Sequence, residues 1–420
     1  MTMRPIMPNR RATLILVASA CVIATVAEAG PMYRATPLGN HWITNINDRG
    51  DLLVPIDDDG RLGTDWLNGD VIGHGFGPRA GQESKLVFGP LRGPHDPIPG
   101  RDGNRIFYTP SRKNGMNNHG DVAGQDWSYD HRTGVYDSRA VVFHTDRLPT
   151  QVGQLGGGNS YGTAVNDSGQ VVGHSTTPAG VHRAFLAQDG EIRNLGTLPG
   201  ADHSVANAVN AHGVAAGFTS SGTFHGFFVG QTPEDGRAVI FRDGEVIDLG
   251  TLGGQSSIAV AINDHGQVAG TSQTADGPNH AFLYTDGEMI DLGRLPEPRE
   301  WYSPDSGSGA SDLNNLGQVV GDSGGRVFLF DGEALFDLED LLEPDSGILR
   351  LNQAFAINDL GQILVNAQDL RNHSTSFVLT PVDGPQPVYF STPEPSTVAV
   401  FATIGIVLAW RRFRPTAAPR

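Results

Sequence analysis

The chain has 420 residues, a formal net charge of −17 and a single cysteine. Such an acidic surface repels nucleic acid and anionic lipid, because both are bound chiefly through Lys and Arg contacts to phosphate. One cysteine excludes a disulfide framework, so the fold must be held together by its core.

The N-terminus predicts a secretory signal peptide over residues 1–29. Three arginines precede an apolar run from about Leu14 to Val26, and Ala27-Glu28-Ala29 suits a signal peptidase. We expect cleavage after Ala29, so that the mature chain begins at Gly30. A lipoprotein box at Cys21 is an alternative, but its first position is Ala, where Leu or Val is usual, and the apolar run continues past the cysteine.

One short formula then recurs seven times. It consists of an apolar residue, Asn, a small or polar pair, Gly, usually Gln or Asp, and an apolar pair, as in INDHGQVAG from Ile262. Successive copies lie about 44 to 53 residues apart, except for one wider gap, which is the period of blade-type repeats. The asparagines of the seven copies are Asn47, Asn117, Asn166, Asn210, Asn263, Asn314 and Asn358.

A single unit indicates four strands. From Ser257 the chain reads SIAVAIND, HGQVAGTS and NHAFLYTDGEMIDLG, which gives four β-prone runs bounded by turn residues. The stretch 263–266 and the pair Asp286-Gly287 suit tight hairpins, because Asn and Gly tolerate positive φ. We expect the repeated asparagines to occupy hairpin corners and to bond local backbone. The pattern predicts an all-β, seven-bladed β-propeller of four-stranded blades over residues 30–385.

The ends of the array favour a closed ring. Residues Met32 to Gly39 resemble the last strand of a unit standing alone, while the final unit stops at a third strand, Ser376 to Val382. Pairing of these two segments would close the ring and protect its edges. An open solenoid, which would need atypical caps, and a string of hairpin domains are the alternatives.

Two irregular stretches interrupt the repeats. The wide gap after Asn47 contains a degenerate copy at Leu67 to Gly73, so an eighth blade is the alternative to a long decorated loop. The stretch from Pro296 to Ser311 carries Trp301 and Tyr302, which could grip a ligand or pack within their own loop.

Several motifs resemble those of catalytic or metal-binding sites but lack the sequence context that such sites require. Gly158 to Gly162 matches the G-x-S-x-G elbow of hydrolases, but that elbow needs a following helix, and Ser160 falls at a position that also holds Ser204 and Ser257 in other units. Asp57 to Gly60 lacks the first and last ligands of a calcium loop. The histidines show no paired spacing. We predict no catalytic, cofactor-binding or metal-ligating residues.

The C-terminus is predicted to divide into a linker over residues 386–395 that ends in Pro393-Glu394-Pro395, a transmembrane helix with an Arg cluster over 396–414, and a cytoplasmic tail over 415–420. The apolar run of about fourteen residues is short for a bilayer span, and cytoplasmic arginines would act as its stop-transfer signal. These arginines are Arg411, Arg412 and Arg414.

This tail resembles the PEP-CTERM sorting signal of Gram-negative bacteria. The resemblance implies passage through the secretion translocon and a transient inner-membrane tether. It further implies cleavage by an exosortase near the Pro-Glu-Pro motif and export to the cell surface or exopolysaccharide matrix. A permanent C-terminal anchor is the alternative.

The repeats have a resemblance of their own. His280-Ala281-Phe282-Leu283, followed by DGEMIDLG, is similar to the HAF-repeat family of extracellular bacterial proteins, and the similarity runs from about Met32 to Val382. The same positions read Arg183-Ala184-Phe185 and His225-Gly226-Phe227 in other units. A residue that varies in this way is not expected to be a repeated catalytic group, and the resemblance supplies no activity.

Together these features predict an exported surface or matrix protein with a non-enzymatic binding or structural role. Removing the signal peptide, with a net charge of +2, and the tail from Ser396, with +4, leaves a body of −23. Polysaccharide or another surface protein is the expected partner. The alternative is an extracellular glycan hydrolase or lyase, which would bring two or three carboxylates together at one end of the central channel.

Overall fold

The computed structural model describes residues 32–38, 43–55, 86–89, 107–110, 115–130, 135–144, 147, 149–222, 233–296, 299–300, 303 and 306–382. Within these residues, no helix has the length and apolarity needed to cross a bilayer. Several sequence predictions lie outside them, namely the signal peptide with Ala29 and Gly30, the copy at 67–73, Trp301, Tyr302, Pro393, Glu394, Pro395, Arg411, Arg412 and Arg414.

The described strands form seven sheets that follow one another along the chain. The first three are β2 (Asn45–Ile46), β3 (Leu52–Pro55) and β4 (Leu86–Gly89); β5 (Phe107–Pro110), β6 (Val122–Asp130), β7 (Val135–Phe143) and β8 (Thr150–Gly153); and β9 (Ser160–Val165), β10 (Val171–Thr176), β11 (His182–Gln188) and β12 (Glu191–Gly196).

The fourth sheet contains β13 (His203–Val209), β14 (Ala215–Ser220), β15 (Arg237–Arg242) and β16 (Glu245–Gly250). The fifth contains β17 (Gly253–Ile262), β18 (Val268–Thr274), β19 (Asn279–Thr285) and β20 (Glu288–Gly293). The sixth contains β21 (Ser308–Leu313), β22 (Val319–Ser323), β23 (Arg326–Phe330) and β24 (Leu335–Asp337), followed by a 3₁₀ turn at Leu338–Leu341. The seventh contains β25 (Ile348–Ile357), β26 (Ile363–Asp369) and β27 (Ser374–Pro381), and the first strand of the chain, β1 (Tyr33–Pro37), joins it.

The joining strand pairs antiparallel with β27. Its register runs from Tyr33 opposite Pro381 to Pro37 opposite Phe377, and backbone bonds from Leu38 to Ser376 (2.8 Å) and from Val382 to Met32 (2.9 Å) extend it. The fourth strand of the last sheet therefore comes from the beginning of the described chain. Six sheets are four-stranded and antiparallel, the meander that builds a β-propeller.

The first sheet departs from the four-stranded antiparallel prediction. It has three described strands, and β4 runs parallel to β3, with Leu52 opposite Leu86. The long insertion separates these two strands, so no tight hairpin fixes their relative direction.

Turn chemistry explains most of the hairpins. Asp189, Asp243 and Asp286 all take φ of 53° or 54° before a glycine, as expected of Asp-Gly turns. The asparagine hairpins work differently. In the turn at 263–266 only Gly266 has positive φ (79°), so the role of Asn263 is carried by its side chain and not by an unusual backbone conformation.

The core lies between successive sheets and contains the aromatic residue of the His-Ala-Phe position. Phe282 is fully buried and packs on alanines of the fourth sheet, including Ala208 and Ala216. It also lies opposite Gly270 on the neighbouring strand, where an added Cβ would come within 2.6 Å of the phenyl ring. The spacing of glycine and phenylalanine within a unit is thus a packing requirement.

Serines tie neighbouring sheets together. The Oγ of Ser160 donates to the Gly153 carbonyl (2.7 Å) and accepts from the Ala140 N–H (2.9 Å). Ser204 and Ser257 make the equivalent two bonds to the sheet that precedes their own. Ser160 is therefore a repeated structural position, and no helix follows it as a hydrolase elbow would require.

Candidate binding site at the asparagine rings

Each repeated asparagine organises the corner between the first two strands of its unit. Asn263 shows the arrangement: its Oδ1 accepts from the backbone N–H groups of His265 (3.1 Å) and Gln267 (3.0 Å). Its Nδ2 donates to Gln267 Oε1 (2.7 Å) and to the backbone carbonyl of Asn314 in the next unit (3.1 Å). The side chain thus forms hydrogen bonds with backbone N–H groups of its own turn and also links two sheets.

The link to the next unit is made by all seven asparagines, at 2.8 to 3.1 Å. Each Nδ2 donates to the backbone carbonyl of the following repeat asparagine, and all seven side chains are at most 6% exposed. The donors and acceptors run Asn47 to Asn117, Asn117 to Asn166, Asn166 to Asn210, Asn210 to Asn263, Asn263 to Asn314, Asn314 to Asn358, and Asn358 to Asn47. We call this cycle the asparagine ring.

A second ring is formed by the residue that follows each asparagine, and we call it the mouth ring. Its members are Asp48, Asn118, Asp167, Ala211, Asp264, Asn315 and Asp359. Six of the seven backbone N–H groups donate to the side-chain Oδ1 of the next member at 2.7 to 3.0 Å. The step from Asp167 to Ala211 lacks this bond because alanine has no acceptor.

Four carboxylates therefore meet in the mouth ring. The Asn118 amide bridges Asp48 and Asp167 (3.0 and 2.9 Å), and the Asn315 amide bridges Asp264 and Asp359 (3.0 and 2.7 Å). Burial and the negative charge of Asp48, with a smaller effect from Asp264, raise the pKa of Asp359, although hydrogen bonds from Asn315 oppose this. The mouth ring is thus rich in negative charge, and Arg49 Nη1 donates to the carbonyl of one of its members, Asn118, at 3.2 Å.

The mouth ring and every member of the asparagine ring except Asn358 line one depression of about 180 Å³. The residue before each asparagine also borders the depression, but its side chain packs in the core between sheets: Ile46, Met116, Val165, Val209, Ile262, Leu313 and Ile357. Asn45, Ala208 and Asp312, each two residues before a repeat asparagine, form the floor. The depression therefore has a charged mouth and a partly polar floor.

The floor is polar at only two positions. Four other units carry alanine there, namely Ala164, Ala208, Ala261 and Ala356. Asp312 Oδ2 accepts from the Ile357 N–H (2.9 Å), so its carboxylate has a structural partner. Asn45 is 5% exposed, and its Nδ2 has no hydrogen-bond partner among the described residues. A buried amide donor of this kind normally requires an acceptor.

Three histidines form a row that is not part of the lining of this depression. The rings of His174 and Tyr161 stack at a centroid distance of 4.7 Å, and His182 and His203 continue the row at 5.4 and 5.9 Å. Burial, reinforced by His182, lowers the pKa of His174 to about 3. Burial and His203 lower that of His182 to about 4. Sequence spacing did not reveal this row, because it joins two sheets.

No group of three or more His, Cys, Asp or Glu side chains is arranged to hold a metal ion within the described part of the chain. The sequence identified the seven asparagines but not their bonds between sheets, and it did not single out the mouth ring, Asn45 or Asp312. A useful signal was present: Asp or Asn follows the asparagine in six of the seven copies.

No family model and no curated protein matches the chain. Similar solved structures include an acylaminoacyl peptidase of Pyrococcus horikoshii (12% identity, TM-score 0.39, covering 62% of this chain and 43% of that chain). A puromycin-hydrolyzing peptidase of Mycobacterium tuberculosis shows 16% identity, a TM-score of 0.41 and coverage of 67% and 44%. The β-propeller domain of the Trilobed protease of Pyrococcus furiosus shows 11% identity, a TM-score of 0.30 and coverage of 68% and 98%.

The chain spans less than half the length of the two peptidases it matches. With TM-scores below 0.5, these similarities carry no argument about what this chain does.

Proposed function

We propose that this chain is a closed seven-bladed β-propeller that is exported and binds a ligand, without catalysis, at the depression formed by the asparagine and mouth rings. The cycle of seven hydrogen bonds from Asn47 back to Asn47 is the observation that carries the proposal. A cyclic set of bonds between successive units is what a closed array requires, and pairing of β1 with β27 supports the same closure.

The state of the carboxylates favours binding over hydrolysis. Both oxygens of Asp48, Asp167, Asp264 and Asp359 accept a hydrogen bond from a ring member. A glycosidase acid must carry a proton that it can release to the leaving group. Protonation here would weaken the ring bonds that the carboxylate accepts, because it removes the negative charge. Each oxygen keeps a further lone pair, however, with which it can accept a bond from a ligand.

A glycan hydrolase or lyase remains the second candidate because several carboxylates do line one end of the depression. The raised pKa of Asp359 is the kind of perturbation that a general acid needs. Product analysis after prolonged incubation with matrix polysaccharide would distinguish a binder from an enzyme.

The proposal that the protein is exported rests on sequence features of its two termini. The signal peptide over residues 1–29, the Pro393-Glu394-Pro395 motif and the arginines that follow support transport by the translocon, a transient inner-membrane tether and processing by an exosortase. The body charge of −23 suits an extracellular protein that stays soluble among acidic surfaces. We propose the cell surface or extracellular matrix as its location, and polysaccharide or a surface protein as its partner.

The binding role can be tested with the mature protein purified from its host. A glycan array and an affinity capture on isolated matrix should both show retention. The variant Asp48→Asn, which copies Asn118 and Asn315, should reduce retention while the far-ultraviolet spectrum stays unchanged. Retention that is indifferent to this variant and to Asp359→Asn would place binding elsewhere and contradict the proposal.

A further inference from the structure

Three side chains of the second sheet form a hydrogen-bonded line outside the depression. Asp121 ends the turn before β6, His144 follows β7, and Thr150 begins β8. The Nδ1 atom of His144 lies 2.6 Å from Asp121 Oδ1, and its Nε2 atom lies 3.0 Å from Thr150 Oγ1. None of the three is among the residues that line the depression. A carboxylate, an imidazole and a hydroxyl thus meet at a separate place.

The carboxylate fixes the position of the proton on His144. An ionised carboxylate only accepts hydrogen bonds, so Nδ1 carries the proton that Asp121 accepts. Nε2 is then the unprotonated nitrogen, and it accepts from the Thr150 hydroxyl. The imidazole is therefore placed to take the hydroxyl proton when Thr150 forms a bond through Oγ1, which is the relation of a general base to its nucleophile.

Arg147 approaches the same ring nitrogen. Its Nη2 atom lies 3.1 Å from His144 Nδ1. A protonated Nδ1 cannot accept a hydrogen bond, so the guanidinium acts here through its charge. That charge opposes a second proton on the ring and favours the neutral imidazole, the state in which His144 can act as a base.

The line runs from a covered end to an open end. The side chain of His144 is 6% exposed and that of Asp121 is 20% exposed, whereas Thr150 is an exposed residue. Asn117 holds the carboxylate further, because its Nδ2 donates to Asp121 Oδ2 (3.3 Å) and its Oδ1 accepts from the Asp121 N–H (2.9 Å). The base and its carboxylate are thus fixed, while the hydroxyl faces the side from which a substrate can approach.

Other units hold amides at the places of the carboxylate and the imidazole. In the third sheet these places are taken by Gln170 and Gln188, whose side chains bond to each other at 3.0 Å. In the fifth sheet Gln267 donates to the Thr285 hydroxyl at 3.5 Å. Hydrogen bonding within a blade therefore does not require a carboxylate and an imidazole at these places.

We propose that Thr150 is the nucleophile of an acyl-transfer site, with His144 as its general base and Asp121 as a positioning residue. The substrate class is a carboxylic ester with a small acyl group, such as acetyl, because Oγ1 is attached to a crowded, β-branched carbon. This activity goes beyond the binding role and uses none of the residues of the two rings.

The reaction balances with water as the second reactant. Oγ1 of Thr150 forms a bond to the ester carbon, and the bond from that carbon to the alcohol oxygen breaks. His144 Nε2 takes the hydroxyl proton and delivers it to the leaving alcohol. Water then attacks the acyl-threonine by the same route, which releases the carboxylic acid and restores the hydroxyl.

Release of 4-nitrophenol from 4-nitrophenyl acetate by the mature protein is the test. We expect Thr150→Ala to lower the rate at least tenfold, and the double variant Asp121→Gln with His144→Gln to do the same. The double variant copies the amide pair of the third sheet, so its melting temperature should stay close to that of the wild type. Thr150→Ser should retain activity, and Thr285→Ala, which removes a hydroxyl beside an amide, should not change it.

The pH dependence separates a positioning role of Asp121 from a purely structural one. The wild-type rate should rise with pH along one titration, because only neutral His144 accepts the proton. Asp121→Gln alone should move that rise to lower pH, since it removes the carboxylate that favours the imidazolium. A midpoint unmoved by Asp121→Gln would contradict the assigned role.

A second measurement locates the nucleophile. A fluorophosphonate should stop the release of 4-nitrophenol and attach to Thr150, as peptide mass spectrometry would show. Attachment elsewhere would overturn the assignment. A release rate indifferent to Thr150→Ala or to the double variant would also overturn it, and the line would then be a structural link between the turn and β8.

Discussion

Replacing Asn263 by alanine removes four hydrogen bonds at once. Two are accepted from backbone N–H groups within the turn, one is donated to Gln267 and one is donated to the next unit. A turn residue that bonded only local backbone would contribute roughly 1 kcal/mol. With about 1 kcal/mol for each net bond and a penalty for buried groups left unpaired, we expect Asn263→Ala to cost about 3 kcal/mol.

Asn263→Asp separates the two roles of the side chain. Aspartate keeps the acceptor for the turn but cannot donate to the Asn314 carbonyl, and it places a charge against that oxygen. We expect a loss of about 2 kcal/mol. His265→Ala, at an exposed position of the same turn, is the matched control and should change the free energy of unfolding by less than about 0.5 kcal/mol.

Urea unfolding of the mature protein at pH 7, followed by tryptophan fluorescence and circular dichroism, would measure these differences. An Asn263→Asp protein as stable as the wild type would refute the reasoning, because the bond between units would then contribute nothing. A cost near 1 kcal/mol for Asn263→Ala would lead to the same conclusion.

Three further predictions concern the histidine row, the packing of the repeat and processing. Burial depresses the folded-state pKa of His174 to about 3, so its contribution to stability is full above about pH 6.5 and is lost as pH falls towards 3. His174→Phe, which copies Phe218, should therefore remove about 2 kcal/mol of the acid destabilisation between pH 7 and pH 5, and parallel pH profiles of variant and wild type would contradict this. Gly270→Ala should cost more than about 2 kcal/mol in denaturant melts, because its Cβ would meet the Ile258 carbonyl at 2.1 Å; a cost below 1 kcal/mol would show that the strand shifts easily. Changing Pro393-Glu394-Pro395 to three alanines should leave uncleaved precursor in the inner membrane, and mass spectrometry showing that the wild-type mature form still ends at Arg420 would favour a permanent anchor.

Local patterns predicted the sheets well. Alternating β-prone runs and Asp-Gly turns located the strands of the fifth sheet, because these signals act within a few residues. The sequence did not reveal that the asparagine turns depend on side-chain hydrogen bonds and not on positive φ at the asparagine. Both requirements favour the same residue types at a turn, so the pattern alone does not distinguish them.

Contacts between units were beyond local reasoning. The hydrogen bond from Asn358 to Asn47 joins residues 311 positions apart, and secondary-structure propensities do not indicate contacts between residues so far apart in the sequence. The same holds for the row from Tyr161 to His203 and for the unpartnered amide of Asn45, which becomes visible only when the floor of the depression is assembled. The parallel direction of β4 was not predicted either, because the sequence between β3 and β4 has no periodic pattern.

Closure of the ring is the central claim, and a disulfide trap tests it directly. Arg34 and Thr380 lie opposite each other in the pairing of β1 with β27, and strand partners of this kind have Cα separations of about 5.5 Å, which suit a disulfide. Because the lone Cys21 lies in the predicted signal peptide, Arg34→Cys with Thr380→Cys should be the only thiol pair of the mature protein. We predict that oxidation gives a monomer two mass units lighter with a raised melting temperature, while Arg34→Cys with Ser374→Cys, six residues out of register, stays reduced. A double variant that stays reduced, or that forms only intermolecular disulfides, would contradict the closed ring.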